Sequence, residues 1–220
     1  MVLRVGKEIE HIREMVIHMA TLCEESVSDA IEAFLKLDVD LAQSVIGRDG
    51  EINSMEMKLD KEVFECLALK APVASDLRFL FSIQKINKDL ERIGDHAVNI
   101  AQAAINCAGF GQSMAGPDIQ LMASVTCGMF SDSINCFVKA DTQLALKVLE
   151  HDDQVDDLNK SMSREVIGMV KKNVATVEGA LELLRVSKNL ERIADLSTNI
   201  SEDVIFHANA KDVKHQHIKA

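Results

Sequence analysis

Between residues 5 and 37 apolar side chains recur at steps of three and four: Val5, Ile9, Ile12, Val16, Met19, Cys23, Val27, Ala30, Phe34 and Leu37. That period gathers them on one stripe and predicts a long amphipathic helix. The Asp38-Val39-Asp40 break supplies a cap for a second helix over about 40–70, which Ala71-Pro72 ends because proline disfavours the α region before it. Ser75 or Asp76 then caps a third helix running to about Cys107. Its stripe is the clearest: Ile83, Ile86, Leu90, Ile93, Ala97, Ile100 and Ala104. After a Gly- and Pro-containing stretch at 109–117 the pattern restarts, and the last helix repeats the stripe as Leu183, Val186, Leu190, Ile193, Ser197, Ile200 and Val204.

The restart is a true repeat. Asp29-Ala30-Ile31-Glu32-Ala33-Phe34-Leu35-Lys36 returns 103 positions later as Asp132-Ser133-Ile134-Asn135-Cys136-Phe137-Val138-Lys139. Repeats of this size decide an architecture before any single residue does. Long helices with short connections fold back antiparallel. The expected fold is all-α: two tandem homologous antiparallel three-helix bundles, six long helices in all. The expected layout is a first repeat at 1–108, a linker at 109–117, a second repeat at 118–209 and a charged tail at 210–220.

Composition narrows the function. Eight Phe with no Tyr or Trp, and only Pro72 and Pro117 as prolines, suit helices better than sheet. A formal net charge of −11 argues against a broad nucleic-acid contact or a general anionic-membrane binder. No uncharged apolar run approaches the roughly 18 residues of a membrane span, and the N-terminus lacks a signal-peptide core. Cys23, Cys66, Cys107, Cys127 and Cys136 are odd in number and scattered, which reads as buried thiols in a reducing cytoplasm. The expected location is therefore cytoplasmic.

The candidate chemistry sits in one duplicated stretch. Lys88-Asp89-Leu90-Glu91-Arg92-Ile93-Gly94-Asp95 returns a hundred residues later as Lys188-Asn189-Leu190-Glu191-Arg192-Ile193-Ala194-Asp195. A Glu and an Asp four apart lie side by side on a helix. Counting back from the turn between the second and third helices puts Asp49 and Asn53 level with Asp95 and Glu91. The same count in the second half puts Asp152 and Asp156 level with Asp195 and Glu191. Oxygen donors from two helices about 8–10 Å apart can close around a hard cation or a small metal cluster. Asn53 makes the first set one charge weaker. The heptad phase turns Glu91 and Asp95 away from the bundle axis, so such a site is shallow and wet. The competing reading is a solvated acidic face balanced by Lys88, Lys188, Arg92 and Arg192. No histidine pair has ligand spacing, and no phosphate-binding glycine loop, nucleophile elbow or Cys-His-Asp arrangement occurs. The chain does not read as an enzyme.

Leu-Glu-Arg-Ile-Gly-Asp, the preceding Pro72-x-x-x-Asp76-Leu77-Arg78 and the terminal Asn199-Ile200-Ser201-Glu202-Asp203-Val204-Ile205-Phe206 resemble the PhoU family of phosphate-signalling proteins, over nearly the whole chain. The resemblance implies a cytoplasmic, non-enzymatic, usually homodimeric regulator. It would link the ATPase subunit of a phosphate ABC transporter to a sensor histidine kinase and repress the phosphate-starvation response, meeting the membrane only through those partners. It also implies surface iron or zinc clusters on Asp49, Glu91 and Asp95 and on Asp152, Asp156, Glu191 and Asp195; Asn53 joins the first set by the hairpin count, and magnesium or manganese are further candidates. Asp76, Arg78, Arg92 and Arg192 are the expected partner contacts. Two departures stand out: Asn53 at an acidic position, and no Pro-x-x-x-Asp-Leu-Arg before the last helix of the second half. The alternative is a metal-binding helical carboxylate protein without a signalling role.

Overall fold

The structure, a computed structural model, describes residues 5–110, 116–172, 176–210 and 213. It contains α1 (Gly6–Lys36), α2 (Val39–Lys70), α3 (Ala74–Phe110), α4 (Pro117–Lys139), α5 (Thr142–Lys171) and α6 (Val177–Asn209), with no strand among the described residues. α1–α3 form one antiparallel three-helix bundle and α4–α6 the other. The two lie side by side, joined mainly through α3 against α6 and secondarily through α1 against α4.

Local chemistry sets most helix ends. Asp38 caps α2 by accepting from the Leu41 amide at 3.0 Å, and Asp141 caps α5 by accepting from Gln143 and Leu144. These are the Ser/Thr/Asp/Asn caps that satisfy the first free amides of a helix. At α3 the expected cap differs. The helix starts at Ala74, so Ser75 and Asp76 lie inside its first turn, where the Asp76 amide already bonds the Val73 carbonyl at 3.1 Å. α3 also runs on past Cys107 to Phe110, since a lone Gly109 costs about 1 kcal/mol of helix propensity without stopping the helix. Residues 111–115 of the expected linker, 173–175 at the turn before α6, and 211–212 and 214–220 of the expected tail lie outside the described residues.

The predicted stripes are buried. Ile83, Ile86, Leu90, Ile93, Ala97, Ile100 and Ala104 on α3 join Leu183, Val186, Leu190, Ile193 and Ile200 on α6 in one continuous core that runs through both bundles. α3 and α6 cross antiparallel, and polar side chains fix their register. Ser82 Oγ donates to the Asp203 carbonyl at 3.2 Å, His96 Nδ1 lies 2.8 Å from Asn189 Oδ1, and Asn106 donates to Glu182 at 2.8 Å.

The repeat shows in its packing as well. A Cβ on Gly94 would lie 3.1 Å from Ile52 Cδ1 and 3.3 Å from its Cγ2. In the second half the equivalent pair is Ala194 and Val155, both buried. One methyl has moved from α3's neighbour to the helix itself. Gly94→Ala alone is therefore expected to gain little, because the propensity gain of about 1 kcal/mol is offset by crowding against Ile52. Combined with Ile52→Val it should recover a coupling of about 0.5–1 kcal/mol, read from chemical denaturation of both single variants and the double. Strict additivity of the two changes would refute the compensation.

α4 is the one described helix whose length and composition would let it cross a membrane, with a mean hydropathy of 1.2 over its most apolar window. Half of that window is buried against the bundle. Asp118 and Asp132 interrupt its apolar run, so the longest uncharged stretch, 119–131, is too short to span a membrane.

Candidate functional site

Across each hairpin the acids lie near enough for their charges to act on one another, Asp95 on Asp49 and Asp195 on Asp152. In the first half Asn53 Nδ2 donates to Asp49 Oδ2 at 2.8 Å, leaving Asp49 Oδ1 buried with no hydrogen-bond partner. Burial pushes the Asp49 carboxyl above its ordinary range, the Asp95 charge across the hairpin adds to the rise, and the Asn53 hydrogen bond opposes it. Glu91 is raised too, by burial first and then by Asp95, with Lys88 opposing. Lys88 is held by the buried Glu56, an acid the sequence reading passed over.

The second half is more strongly acidic. Asp152 is pushed up to about 6 by burial and then by the charges of Asp195, Asp156, Asp153 and Glu191. Burial and Glu191 also raise Asp195, while Arg192 and Lys188 lower it. These bases are in contact: Lys188 pairs with Glu191, and Arg192 Nη1 lies 3.1 Å from Asp195 Oδ2. Glu191 Oε2 is buried and is the oxygen that meets the Lys188 ammonium. No three His, Cys, Asp or Glu among the described residues are arranged to hold a metal ion. The donor set has the hard oxygen chemistry a metal would want, but Lys188 and Arg192 already pair with two of its carboxylates. Lone exposed ion pairs of this kind add little stability.

The titration has a thermodynamic consequence. Asp152 holds its proton more tightly in the folded chain (about 6) than at its ordinary value of 3.8. Its ionisation therefore opposes folding above pH 6, and that cost disappears as pH falls through 6 toward 4. The full shift would be about 3 kcal/mol, but for a half-buried group screened by solvent about 1 kcal/mol is expected. About a quarter of that cost is relieved by pH 5.5, so the metal-free protein should melt about 0.5–1 °C higher at pH 5.5 than at pH 7.5, and Asp152→Asn should flatten that difference. A melting temperature that falls between pH 7.5 and pH 5.5 would contradict it.

The other expected contacts are scattered. Arg92 and Arg192 are exposed and line one shallow cleft where α3 and α6 cross, together with His96, Thr198 and Asn199. Asp76 and Arg78 are half-buried at the start of α3, far along that helix from the carboxylates. All five cysteines are free. Burial pushes their thiols up, to about 11 for Cys107 and Cys127 and about 12 for Cys136, which is the environment of an inert thiol.

One feature escaped the sequence reading. Phe64 on α2 and Leu77 and Phe81 on α3 are exposed, Phe64 to 73%. Their repeat equivalents, Ile167 on α5 and Val177 and Leu181 on α6, are exposed too, Leu181 to 60%. In an antiparallel hairpin the α2 residue lies beside its α3 partners, so each triplet makes an apolar face near the hairpin tip. The antiparallel packing of the bundles puts the two faces at opposite ends of the molecule. The signal was available in the repeat: apolar residues kept at positions off the core stripe.

A family model described as the PhoU domain matches this chain twice, at residues 16–104 and 119–204. The Phosphate-specific transport system accessory protein PhoU homolog of Aquifex aeolicus is 39% identical over 99% of this chain and 98% of that protein. The crystal structure of PhoU from Pseudomonas aeruginosa superposes with a TM-score of 0.91 at 34% identity, covering 94% of this chain and all of that one. The phosphate transport system regulatory protein PhoU from Streptococcus pneumoniae gives 0.89 at 28% identity, over 96% and 99% of the two chains.

Proposed function

This chain belongs to the PhoU family, and from that premise we propose that it regulates phosphate transport as a non-enzymatic adaptor. In this reading it binds the ATPase subunit of a phosphate ABC transporter and a sensor histidine kinase, and holds the phosphate-starvation response off. Its relatives are named as accessory or regulatory proteins of phosphate transport, which supports the coarse role. The observation that carries the adaptor reading is the pair of exposed apolar faces, Phe64/Leu77/Phe81 and Ile167/Val177/Leu181. Apolar surface kept exposed at equivalent places in two repeats is surface reserved for a partner. The buried, high-pKa thiols offer no ready nucleophile, in keeping with that role.

The test is twofold. Tagged protein should retain the transporter ATPase through purification from its own cells, and deletion of its gene should make starvation genes constitutive in phosphate-rich medium. Normal repression in the deletion strain would end the proposal.

A second reading, a surface metal site, is favoured by the burial and neighbouring charges that raise Asp152 and by the orphaned Oδ1 of Asp49. Asp152, Asp156, Glu191 and Asp195 would hold the cation, most simply iron or zinc, once Lys188 and Arg192 swing out. When bound, such an ion would neutralise the face and add coordination positions at the surface. It is compatible with the adaptor role and does not require catalysis.

A further inference from the structure

We propose that the end of the molecule where α1 and α3 begin and α4 and α6 finish is a binding site for a small tetrahedral oxyanion, held by Arg13, Arg78 and His207. The site is built on an aromatic floor. Phe79 and Phe137 stack with centroids 6.3 Å apart, and the Arg13 guanidinium carbon stands 4.9 Å from the first centroid and 5.5 Å from the second. The His207 ring meets Phe79 edge-on at 5.2 Å. Arg13 and His207 are thus oriented by ring contacts, which leaves hydrogen-bonding capacity unspent.

Two nitrogens there are orphaned. Arg78 Nε and His207 Nδ1 are buried and have no hydrogen-bond partner, so neither Asp76 nor Glu202, the acids in the same stretches, satisfies them. An arginine Nε always carries a proton to donate, and a buried donor without an acceptor costs free energy. The charges also crowd. Burial, Arg13 and Arg78 together depress the His207 pKa, so a third positive charge is resisted until an anion enters. In a chain of net charge −11 such a cationic cluster stands apart.

The repeat argues that the cluster is not needed to close a bundle end. The equivalent positions in the other half hold Gly116, Glu178, Gly179 and Cys107, and that end packs without any of the three bases. Donors arriving from α1, α3 and α6 suit an ion that accepts in three directions, whereas the lone pairs of a carboxylate lie in one plane. The start of α3 adds its positive helix end. Cluster and repeat stand independently of the adaptor proposal.

The test is equilibrium dialysis of the full chain against radiolabelled inorganic phosphate, with sulfate and acetate as competitors. Saturable binding of one phosphate per chain is expected, displaced by sulfate and not by acetate at equal concentration. Arg13→Gln and Arg78→Gln should each weaken it about tenfold or more, while Glu178→Gln at the equivalent place in the other half leaves it unchanged. The melting temperature of Arg78→Gln should not fall, because its Nε bonds nothing in the free protein. Should that variant melt early, Arg78→Lys takes its place with the same expected loss. Absence of saturable binding at millimolar phosphate, binding indifferent to both arginines, or displacement by acetate as effective as by sulfate would each overturn the proposal.

Discussion

Serine at both Phe64 and Phe81 is expected to separate this protein from the transporter ATPase while leaving its fold intact. Phe64 is 73% and Phe81 55% exposed, so neither ring contributes much to the core, and the melting temperature should move by no more than a degree or two. Binding should respond very differently. Truncating an aromatic anchor at an interface centre typically costs about 2 kcal/mol or more, roughly thirtyfold in affinity, and two such anchors should take the complex below what survives a purification. Ile167→Ser with Leu181→Ser tests the other end. If both ends dock, the loss repeats; if only the first does, the second variant behaves as wild type. Undiminished co-purification of Phe64→Ser/Phe81→Ser would remove the apolar faces from the proposal. The cleft of Arg92 and Arg192 would then be the surface to test, by Arg92→Glu.

The architecture was legible because it rests on periodicity. Steps of three and four in Ile83–Ala104 and again in Leu183–Val204 allow little besides two helices buried on one stripe, and both are buried on that stripe. The hairpin count also worked: Asp49 does feel Asp95, and Asp152 does feel Asp195. The competing reading, an acidic face balanced by Lys188 and Arg192, is visible too: both bases pair with carboxylates on their own helix turns. What the count leaves open is side-chain direction. Nor does periodicity within one helix report contacts between helices remote in sequence. The Arg13, Phe79, Phe137 and His207 cluster draws on four helices, and only Arg78 beside it belonged to a recognisable motif. Nor does the pattern rank side-by-side packing of the bundles through α3 and α6 against packing end to end. His96 against Asn189 fixes the choice, and a heptad count cannot rank that contact.

Those counterions decide the metal question, and they give it a quantitative form. Protein purified without chelating resin is expected to carry near-stoichiometric iron or zinc by elemental analysis, and Asp152→Asn with Glu191→Gln should lose nearly all of it. The first half, where Asn53 replaces a charge and bonds Asp49, should bind more weakly and lose its metal first on dilution. A cation that displaces Lys188 and Arg192 gains the attraction of four carboxylates and offsets the burial and repulsion that together hold Asp152 up to about 6. Metal should therefore stabilise the fold by mass action, about 2.7 kcal/mol at a hundredfold excess over Kd, or roughly 5–10 °C in melting temperature. It should also abolish the higher melting point at pH 5.5, because a coordinated carboxylate is ionised throughout that range. The double variant should show neither effect. If the wild type purifies free of metal and its melting temperature ignores added iron and zinc, the acids are a salt-bridged surface, and the adaptor role rests on the apolar faces alone.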